Sequence, residues 1–482
     1  MLKRYKFYSL VIILLVGILL FACEYENPSK NKAKYVFYFI GDGMGIQQIN
    51  ATQVYLASIN GASENEHLSF TTFPITGFST TFSATRYITG SAAAGTALAT
   101  GKKTSINTLG LSADHSDTIY SIAYYANKAG FQVGVTTSVS IDHATPAAFY
   151  AHQPKRNMYH EVAYDLIKSG YKFFAGGGFI DPMGLKSKNP LGDVFEKGLE
   201  KGFYFSQSLI IPDTILNQNK SIVYTTPSPD EGSSLKYRID RDKTDVTLAN
   251  ITSLAIDVLM NPKGFFLMVE GGKIDWACHH NDAAATIGEM ICFSDAVAVA
   301  LEFYKKYPNE TLIVVTSDHE TGGMSLGNKQ MQYEMNISLL SNQKVSLEKF
   351  NQKAINFKDK HNQKPSFQDY LQFIAGELGL DVKSLNGLQI SNLQKAHSAS
   401  LLQNDPLLNG INTEEYGSFD PLAVAAIQTL NQMAGIGWTS FSHTGSQVPV
   451  YAIGIGQDLF SGQMDNTDIP IRIANAMGIN MD

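Results

Sequence analysis

Cysteine is scarce in this sequence: only Cys23, Cys278 and Cys292 occur among 482 residues. A framework of disulfide bonds that replaces a hydrophobic core is therefore excluded. If Cys278 and Cys292 lie on one helix, their spacing separates the two Cα atoms by about 21 Å, whereas a disulfide tolerates about 4–7 Å. The sequence therefore predicts that both residues are free thiols.

Charge is also sparse, because only 17% of the residues are charged and the formal net charge is -7. This composition excludes a charged disordered chain and a basic arm that binds nucleic acid. A hydrophobic content of 44% is instead sufficient for a large core. An acidic surface does not attract anions, so anion binding has to come from a local site of metal ions, an arginine or a helix N-terminus.

A long apolar run is missing from the N-terminus, where a basic stretch is followed only by the apolar segment Leu10 to Ala22. About 13 residues are too few for a comfortable membrane span, which needs roughly 20. The segment ends in Leu-Phe-Ala-Cys at 20–23, which resembles a bacterial lipoprotein cleavage box, although Phe21 is unusual in it. An uncleaved signal anchor is the alternative.

The lipoprotein interpretation predicts three successive parts. Residues 1–22 are a signal peptide, residues 23–33 are a tether lipidated at Cys23, and residues 34–482 form the catalytic domain. The chain is then exported and anchored through Cys23 as a periplasmic or cell-surface lipoprotein. The membrane is a partner through this anchor only.

Short apolar runs alternate with helical patterns along the rest of the chain. The strand candidates are Tyr35–Ile40, Phe131–Ser138, Phe265–Val269, Thr311–Thr316 and Val448–Ile455, and the helix candidates include Ala92–Thr100, Tyr120–Ala129 and Ala283–Tyr304. This alternation predicts an α/β fold with a doubly wound, mostly parallel central sheet flanked by helices. Two stretches interrupt it: polar residues 179–247, and a predicted helical insertion at about 324–436.

Metal-ligand residue types follow several of the predicted strands. The strand ends lead to Asp42, to Asp142 and His143, to Glu270 and Asp275, and to Asp318 and His319. Ligands of open α/β sheets bind at the carboxyl ends of the strands. One acid there is usually a helix cap, but acids or Asp-His pairs at several ends together indicate a metal site.

Two further patterns carry weaker signals on their own. Asp275 and His279 are four residues apart, so a helix would place both on one face, within reach of one metal ion. Taken alone, a capping Asp and a surface His are more common, and a lone His443 is more often structural. Ser91 opens a small-residue helix that ends at Gly101, and a helix N-terminus favours an anion there. The alternative role for Ser91 is an N-cap, which is compatible with a nucleophile.

Taken together, these motifs resemble the alkaline phosphatase family, over roughly residues 34–325 and 436–480. The matching blocks are FIGDGMG at 39–45, ITGSAAAGTALATG at 88–101, DHATPAAFYAH at 142–152, VEGGKIDWACHH at 269–280, TSDHETGG at 316–323 and HTGSQVPVYAIG at 443–454. Each block is moderately specific, and their joint presence in this order is highly specific.

The resemblance implies a phosphate monoester hydrolase with two zinc ions, one magnesium ion and a phosphoserine intermediate on Ser91. The implied ligands are Asp275, His279 and His443 for the first zinc, Asp42, Asp318 and His319 for the second, and Asp42, Thr145 and Glu270 for magnesium. Arg156 matches the arginine that clamps the phosphate. Small phosphate monoesters are the implied substrates, and because family members are often dimeric, a homodimer is open.

Three departures from the family pattern carry consequences. Gly90 stands where many members have an aspartate that orients the arginine, so the grip of Arg156 on phosphate is expected to be looser. His143 and Trp276 stand near the third site where some members carry Asp and Lys, which leaves the identity of that metal open. The predicted insertion 324–436 matches none of the core motifs, and covering the site or mediating dimer contacts are its two candidate roles.

Two other functions remain as alternatives. A phosphodiesterase or phosphonate hydrolase of the same superfamily shares the two-metal site but often uses a threonine nucleophile, whereas this chain has Ser91. A sulfatase is disfavoured because the segment after Ser91 lacks the Pro and Arg of the motif that those enzymes modify. A non-catalytic, lipid-anchored protein that binds metal or phosphate would need a broken site, and no expected ligand is missing.

Overall fold

The computed structural model describes residues 32–62, 64, 66–402 and 416–481. The predicted signal peptide 1–22 and Cys23 lie outside these residues, as does the tether apart from residues 32 and 33. Lipidation and export therefore stay predictions.

Fourteen strands occur in the described residues. They are β1 Tyr35–Gly41, β2 Ile75–Thr80, β3 Gln132–Thr137, β4 Phe173–Gly176, β5 Phe203–Ser206, β6 Ser221–Thr225, β7 Phe265–Gly271, β8 Thr311–Ser317, β9 Glu320–Thr321, β10 Ser325–Leu326, β11 Ile436–Gly437, β12 His443–Thr444, β13 Val448–Gly454 and β14 Gly462–Asp465.

The helices of the described residues lie mostly between these strands. They are α1 Ile46–Asn60, α2 Ser91–Thr100, α3 Ile122–Lys128, α4 Ala144–Ala147, α5 Tyr159–Ser169, α6 Val194–Glu200, α7 Asp213–Leu216, α8 Leu248–Leu259, α9 Lys273–His279, α10 Ala283–Lys306, α11 Leu347–Lys360, α12 Phe367–Leu378, α13 Gly387–Leu402, α14 Pro421–Ala434 and α15 Asp468–Met477. Short 3₁₀ turns cover Glu231–Ser233, Arg238–Asp240, Ile337–Asn342, Val382–Ser384 and Gln457–Phe460.

Ten strands form one sheet in the order β14-β2-β13-β8-β1-β7-β3-β4-β6-β5. All neighbouring pairs are parallel except those of β13, which runs antiparallel to both β8 and β2. The expected doubly wound, mostly parallel sheet is confirmed. Its carboxyl ends share one edge, where ligands of such sheets bind.

The sequence of β1 explains why helices cover both faces of the sheet. All seven of its residues are buried. Because successive side chains point to opposite faces, Tyr35, Phe37 and Phe39 enter one hydrophobic cluster, and Val36, Tyr38 and Ile40 enter the other. Helices α8 and α10 complete the first cluster, and α2, α3, α5 and α15 complete the second. Helix α10 is long and apolar enough to span a membrane, but most of it is buried in this core.

The segment 324–436 has a hydrophobic cluster of its own. Its helices α11, α12 and α14 bury apolar side chains against one another, and the same cluster reaches Ala51 on α1 and Ala283 and Ile287 on α10. The pairing of β10 with β11 holds the start and the end of the segment together. The predicted mostly helical character of this segment is thus observed, although its two candidate roles are not tested by the fold.

The structure adds to the sequence interpretation at two points. Residues 179–247, which interrupt the predicted alternation, contain β5 and β6, and these strands extend the sheet at one edge. Cys278 and Cys292 lie on two consecutive helices, α9 and α10, rather than on one. Both are nevertheless buried free thiols, as predicted.

Candidate metal centre and nucleophile

Strand register brings the predicted acidic residues together at the carboxyl edge of the sheet. In the centre of the sheet, Ile40 of β1 pairs with Glu270 of β7, and Thr137 of β3 pairs with the same glutamate. On the other side of β1, Gly41 pairs with Ser317 of β8. Asp42 and Asp318, the residues that follow these two strand positions, therefore leave the sheet side by side.

Three groups of side chains at this edge could each hold a metal ion. Within each group, one ligand atom per residue lies within 4.8 Å of the others. The groups are Asp42, Asp318 and His319; Asp42, His143 and Glu270; and Asp275, His319 and His443. Asp42 and His319 each belong to two groups, so the three candidate positions adjoin one another.

Buried atoms without partners show that the donor set fits cations. Asp42 Oδ1, Glu270 Oε1 and Asp318 Oδ2 are fully buried and make no hydrogen bond to any described residue. Buried polar atoms are nearly always paired, and carboxylate oxygens and imidazole nitrogens are the donors that zinc and magnesium take. Divalent cations at these positions would satisfy these atoms.

Without cations, the crowded carboxyl groups titrate abnormally. Burial, together with the neighbouring Asp318 and Asp275, raises the pKa of Asp42 well above its usual range. Burial and Asp275 likewise raise the pKa of Asp318 to about 8. Removal from water penalises the charged form, and like charges add to the penalty. A bound cation would reverse both effects.

Asp275 and its three imidazole neighbours form the other side of the centre. His279 Nε2 lies 3.4 Å from Asp275 Oδ2, as expected for the i, i+4 spacing on α9. His443 reaches the same carboxylate, with its Nε2 atom 3.6 Å from Asp275 Oδ1, because β12 pairs with β9 and sets His443 beside Thr321. Although burial opposes it, the imidazoles of His279, His319 and His443 lower the pKa of Asp275.

The backbone contacts of two histidines fix the direction of their lone pairs. His279 Nδ1 lies 2.5 Å from the carbonyl oxygen of Phe441, and His443 Nδ1 lies 2.8 Å from that of Thr89. Each Nδ1 therefore carries the proton, and each Nε2 presents a lone pair. The two Nε2 atoms lie only 3.0 Å apart, a repulsive arrangement that a cation bound between them would make favourable.

Ser91 lies at the start of α2 beside these ligands. Gly90 is the N-cap, and no side-chain capping hydrogen bond is present, so Ser91 does not act as the cap. Its side chain is buried, and its Oγ atom lies 3.3 Å from His319 Nε2. Free N–H groups of the first helical turn and the helix dipole favour an anion at this point.

The comparison with known proteins agrees with this geometry. A family model described as alkaline phosphatase matches residues 33–172 and 230–479.

The chain belongs to the alkaline phosphatase family.

Relatives resemble this family member over most of its length. "Alkaline phosphatase 4" of Bacillus subtilis is 32% identical over 454 residues, which cover 92% of this chain and 88% of the relative. A solved cold-active alkaline phosphatase of Shewanella sp. is 28% identical with a TM-score of 0.73, and the alignment covers 92% of this chain and 99% of that one. A variant of TAB5 alkaline phosphatase with Mg bound in its M3 site is 25% identical with a TM-score of 0.64, over 94% and 100% of the two chains.

The family match does not extend to residues 173–229. This segment contains β4, β5 and β6, the strands at the edge of the sheet farthest from β14. It lies on the side of β3 away from β1, so the strands that carry the candidate ligands all fall within the matched residues. The candidate metal centre therefore lies in the part of this phosphatase that follows the family pattern.

Arg156 is held by its loop and by a histidine. Its backbone N–H donates to the carbonyl oxygen of Asn107 at 2.7 Å, and its Nη2 atom lies 2.7 Å from His143 Nε2. Burial and the charge of Arg156 lower the pKa of His143, so the imidazole is neutral and accepts this hydrogen bond. In this phosphatase the imidazole of His143 thus holds the guanidinium of Arg156.

The third candidate metal position, around Asp42 and Glu270, differs from the sequence-based expectation in the role of His143. His143 was expected only near the magnesium ligands, but it forms a three-residue group with Asp42 and Glu270. Thr145 Oγ1 donates to Asp42 Oδ2 at 3.3 Å, and the Trp276 ring stands edge-on to His143 at 5.9 Å between centroids. Because His143 Nε2 accepts from Arg156, its Nδ1 atom carries the proton and faces Glu270 Oε1 at 3.8 Å, so His143 links Arg156 to this position rather than offering it a lone pair.

Sequence reasoning missed two threonines that orient the candidate ligands. Thr321 Oγ1 donates to Asp275 Oδ1 at 2.5 Å and lies 3.2 Å from His319 Nδ1. Thr137 donates to Glu270 Oε2. Thr321 lies within the block at 316–323, so its position in that block is the only sequence signal that could have indicated it.

Proposed function

We propose that this enzyme hydrolyses phosphate monoesters through a phosphoserine on Ser91, with two zinc ions and one magnesium ion as cofactors. The observation that carries the proposal is the position of Ser91. Its Oγ lies at a helix N-terminus, 3.3 Å from Nε2 of His319, which belongs to two of the three candidate metal groups.

The proposed reaction has two displacements at phosphorus. Ser91 Oγ loses its proton and bonds to phosphorus while the bond to the alcohol oxygen breaks, and the alcohol leaves after taking up a proton. Water then attacks the phosphoserine, which releases inorganic phosphate and returns the hydroxyl of Ser91. When bound, the divalent cations would stabilise the serine alkoxide and the charge on the leaving oxygen.

The side chains of the enzyme hold the phosphate between Ser91 and Arg156. The planar guanidinium can donate to two phosphate oxygens at once, and the N–H groups at the start of α2 favour the remaining charge. Three divalent cations outweigh the carboxylates of Asp42, Glu270, Asp275 and Asp318 by two charges, and Arg156 adds one more. This local excess of positive charge offsets the acidic surface of the chain.

The donor types support the metal assignment. Positions with imidazole ligands suit zinc, which favours zinc at Asp275, His279 and His443, with two imidazoles, and at Asp42, Asp318 and His319, with one. Oxygen donors from Asp42, Thr145 and Glu270 suit magnesium. The relative from TAB5 bound Mg in its M3 site as a variant.

A comparison of two model substrates tests the proposed activity. We expect an aryl phosphate monoester to be turned over at a kcat/KM about 10²-fold or more above that of the matched diester, because a diester adds a second ester group that the phosphate-binding groups must accommodate. Steady-state rates between pH 7 and 10 measure the ratio. Preference for the diester would move the enzyme to the phosphodiesterase alternative, and no turnover of either would favour a binding protein.

Gly90 offers a test of how Arg156 is held. The backbone of Gly90 is extended, with φ of −137°, and an added Cβ would lie no closer than 3.7 Å to its nearest neighbour, His443 Cε1. The Cβ atom of a Gly90→Asp variant therefore fits without strain. Its carboxylate would orient the guanidinium, so we expect the inhibition constant of inorganic phosphate to fall roughly 3–10-fold.

Product inhibition assays of wild type, Gly90→Asp and Gly90→Asn separate charge from shape. The Asn side chain has nearly the same size without the negative charge, so it should reproduce little of the effect. Unchanged phosphate inhibition in Gly90→Asp would refute the view that Gly90 loosens the grip of Arg156.

A further inference from the structure

The turn that follows α9 consists of His280, Asn281 and Asp282, and the segment 324–436 contacts each of these residues. The ring of His280 packs edge-on against Phe419, with 4.7 Å between ring centroids. The carbonyl oxygen of Asn281 accepts a hydrogen bond from Asn431 Nδ2 at 2.6 Å. Both carboxylate oxygens of Asp282 accept from Gln343 Nε2, at 2.8 and 3.0 Å.

These contacts stabilise an unfavourable backbone conformation at Asn281 and the buried carboxylate of Asp282. Asn281 is buried and has a positive φ of 50°, a conformation that asparagine tolerates better than most residues but that still needs support. Asp282 is buried and caps α10 by accepting from the N–H of Ala285. It also accepts from the N–H of Leu347 at 2.7 Å, so the segment supplies two of its donors.

Helix α9 depends on such external support, because its seven residues make only two turns, and isolated helices of this length are unstable. Its N-terminal residue Lys273 is anchored to the other side, where its Nζ donates to Ser234 Oγ at 3.1 Å and lies 3.6 Å from the ring centroid of Tyr237. The C-terminal residue of α9 is His279, and the turn that the segment 324–436 contacts follows it directly. The position of the His279 imidazole therefore depends on that turn.

We propose that Asn431 and Gln343 are positioning residues, which hold the end of α9 and thereby retain the metal ion at Asp275, His279 and His443. The role assigned to the segment 324–436 is thus to stabilise the metal centre through its contacts with the turn that follows α9. The identity of this metal as zinc rests on the proposed function. The test of the inference does not, because it needs no catalytic activity.

Zinc release provides a readout that does not depend on catalysis. The zinc-loaded full-length protein is mixed with excess chromophoric chelator, and the rate of zinc transfer is followed for wild type, Asn431→Ala and Gln343→Ala. Removal of partners that orient metal ligands typically lowers metal affinity 10–100-fold. We expect the zinc at Asp275, His279 and His443 to leave at least about 5-fold faster in both variants than in wild type. KM should be unchanged, and added zinc should restore kcat.

Asn386→Ala is the matched control. Asn386 lies in the same segment and uses its side-chain oxygen to accept from the N–H of Gln389 at 3.0 Å, at the start of α13. It should lower thermal stability without changing zinc release. Zinc release at the wild-type rate in Asn431→Ala and Gln343→Ala, or equal acceleration in Asn386→Ala, would overturn the inference. A wild-type protein that binds zinc but hydrolyses no monoester would instead contradict the proposed function and leave this test valid.

Discussion

A Ser91→Ala variant is expected to lose hydrolysis of phosphate monoesters by on the order of 10³-fold or more, while it keeps its fold and its metal ions. The hydroxyl is the only part of the side chain that the substitution removes. Its Oγ contacts His319 and contributes to no capping hydrogen bond, so little stability depends on it. Steady-state kcat, metal content and melting temperature measured on the same preparation check this expectation.

Ser294→Ala controls for the loss of a buried serine. The Ser294 hydroxyl accepts from the N–H of Ser69 at 2.9 Å, and Ser294 belongs to none of the three candidate metal groups. This variant should lose some stability and retain activity. A Ser91→Ala enzyme within about tenfold of wild type would show that another group or a water molecule attacks phosphorus directly.

Removal of the metal ions is expected to abolish activity and to lower the melting temperature by about 5 °C or more. Activity is lost because the cations would stabilise the serine alkoxide and the leaving oxygen, and stability is lost because the cations compensate carboxylates that otherwise lie buried and close together. Asp42 and Asp318 show this most clearly, since burial and neighbouring carboxylates raise the pKa values of both. Thermal unfolding and activity after exhaustive chelation, and again after zinc and magnesium are restored, measure the effect.

An Asp42→Asn variant is the control for this prediction. Asp42 belongs to two of the three candidate metal groups, so its neutral isostere should weaken both positions. We expect its melting temperature to respond much less to chelation than that of wild type. Full activity of the wild-type enzyme after its metal content has fallen to zero would contradict the account of the centre.

The central sheet was predictable because its strands are buried on both faces. Such strands read as continuous apolar runs, and β1, β3, β7, β8 and β13 agree with the expected ranges to within one or two residues. The strands β2, β4, β5, β6 and β14 were not predicted. They have only four to six residues, and two of the four residues of β14 are exposed, so their sequences do not differ enough from those of loops.

The candidate ligands were predictable in identity but only partly in arrangement. The acids at the ends of β1, β7 and β8 are local to their strands, and Asp275 and His279 share a helix. His443 reaches them only through the pairing of β12 with β9, and the carbonyl groups of Thr89 and Phe441 that orient His443 and His279 are set by the tertiary fold. A backbone oxygen carries no sequence signature, so these contacts could not be predicted.

Direct detection of phosphate on Ser91 tests the central claim. The wild-type enzyme is mixed with an aryl phosphate monoester labelled in its phosphorus, quenched in acid during turnover, digested and mapped by mass spectrometry. The proposed mechanism predicts the label on the peptide that contains Ser91 and its absence in Ser91→Ala. Rapid hydrolysis with no labelled peptide under conditions that preserve phosphoserine would contradict it.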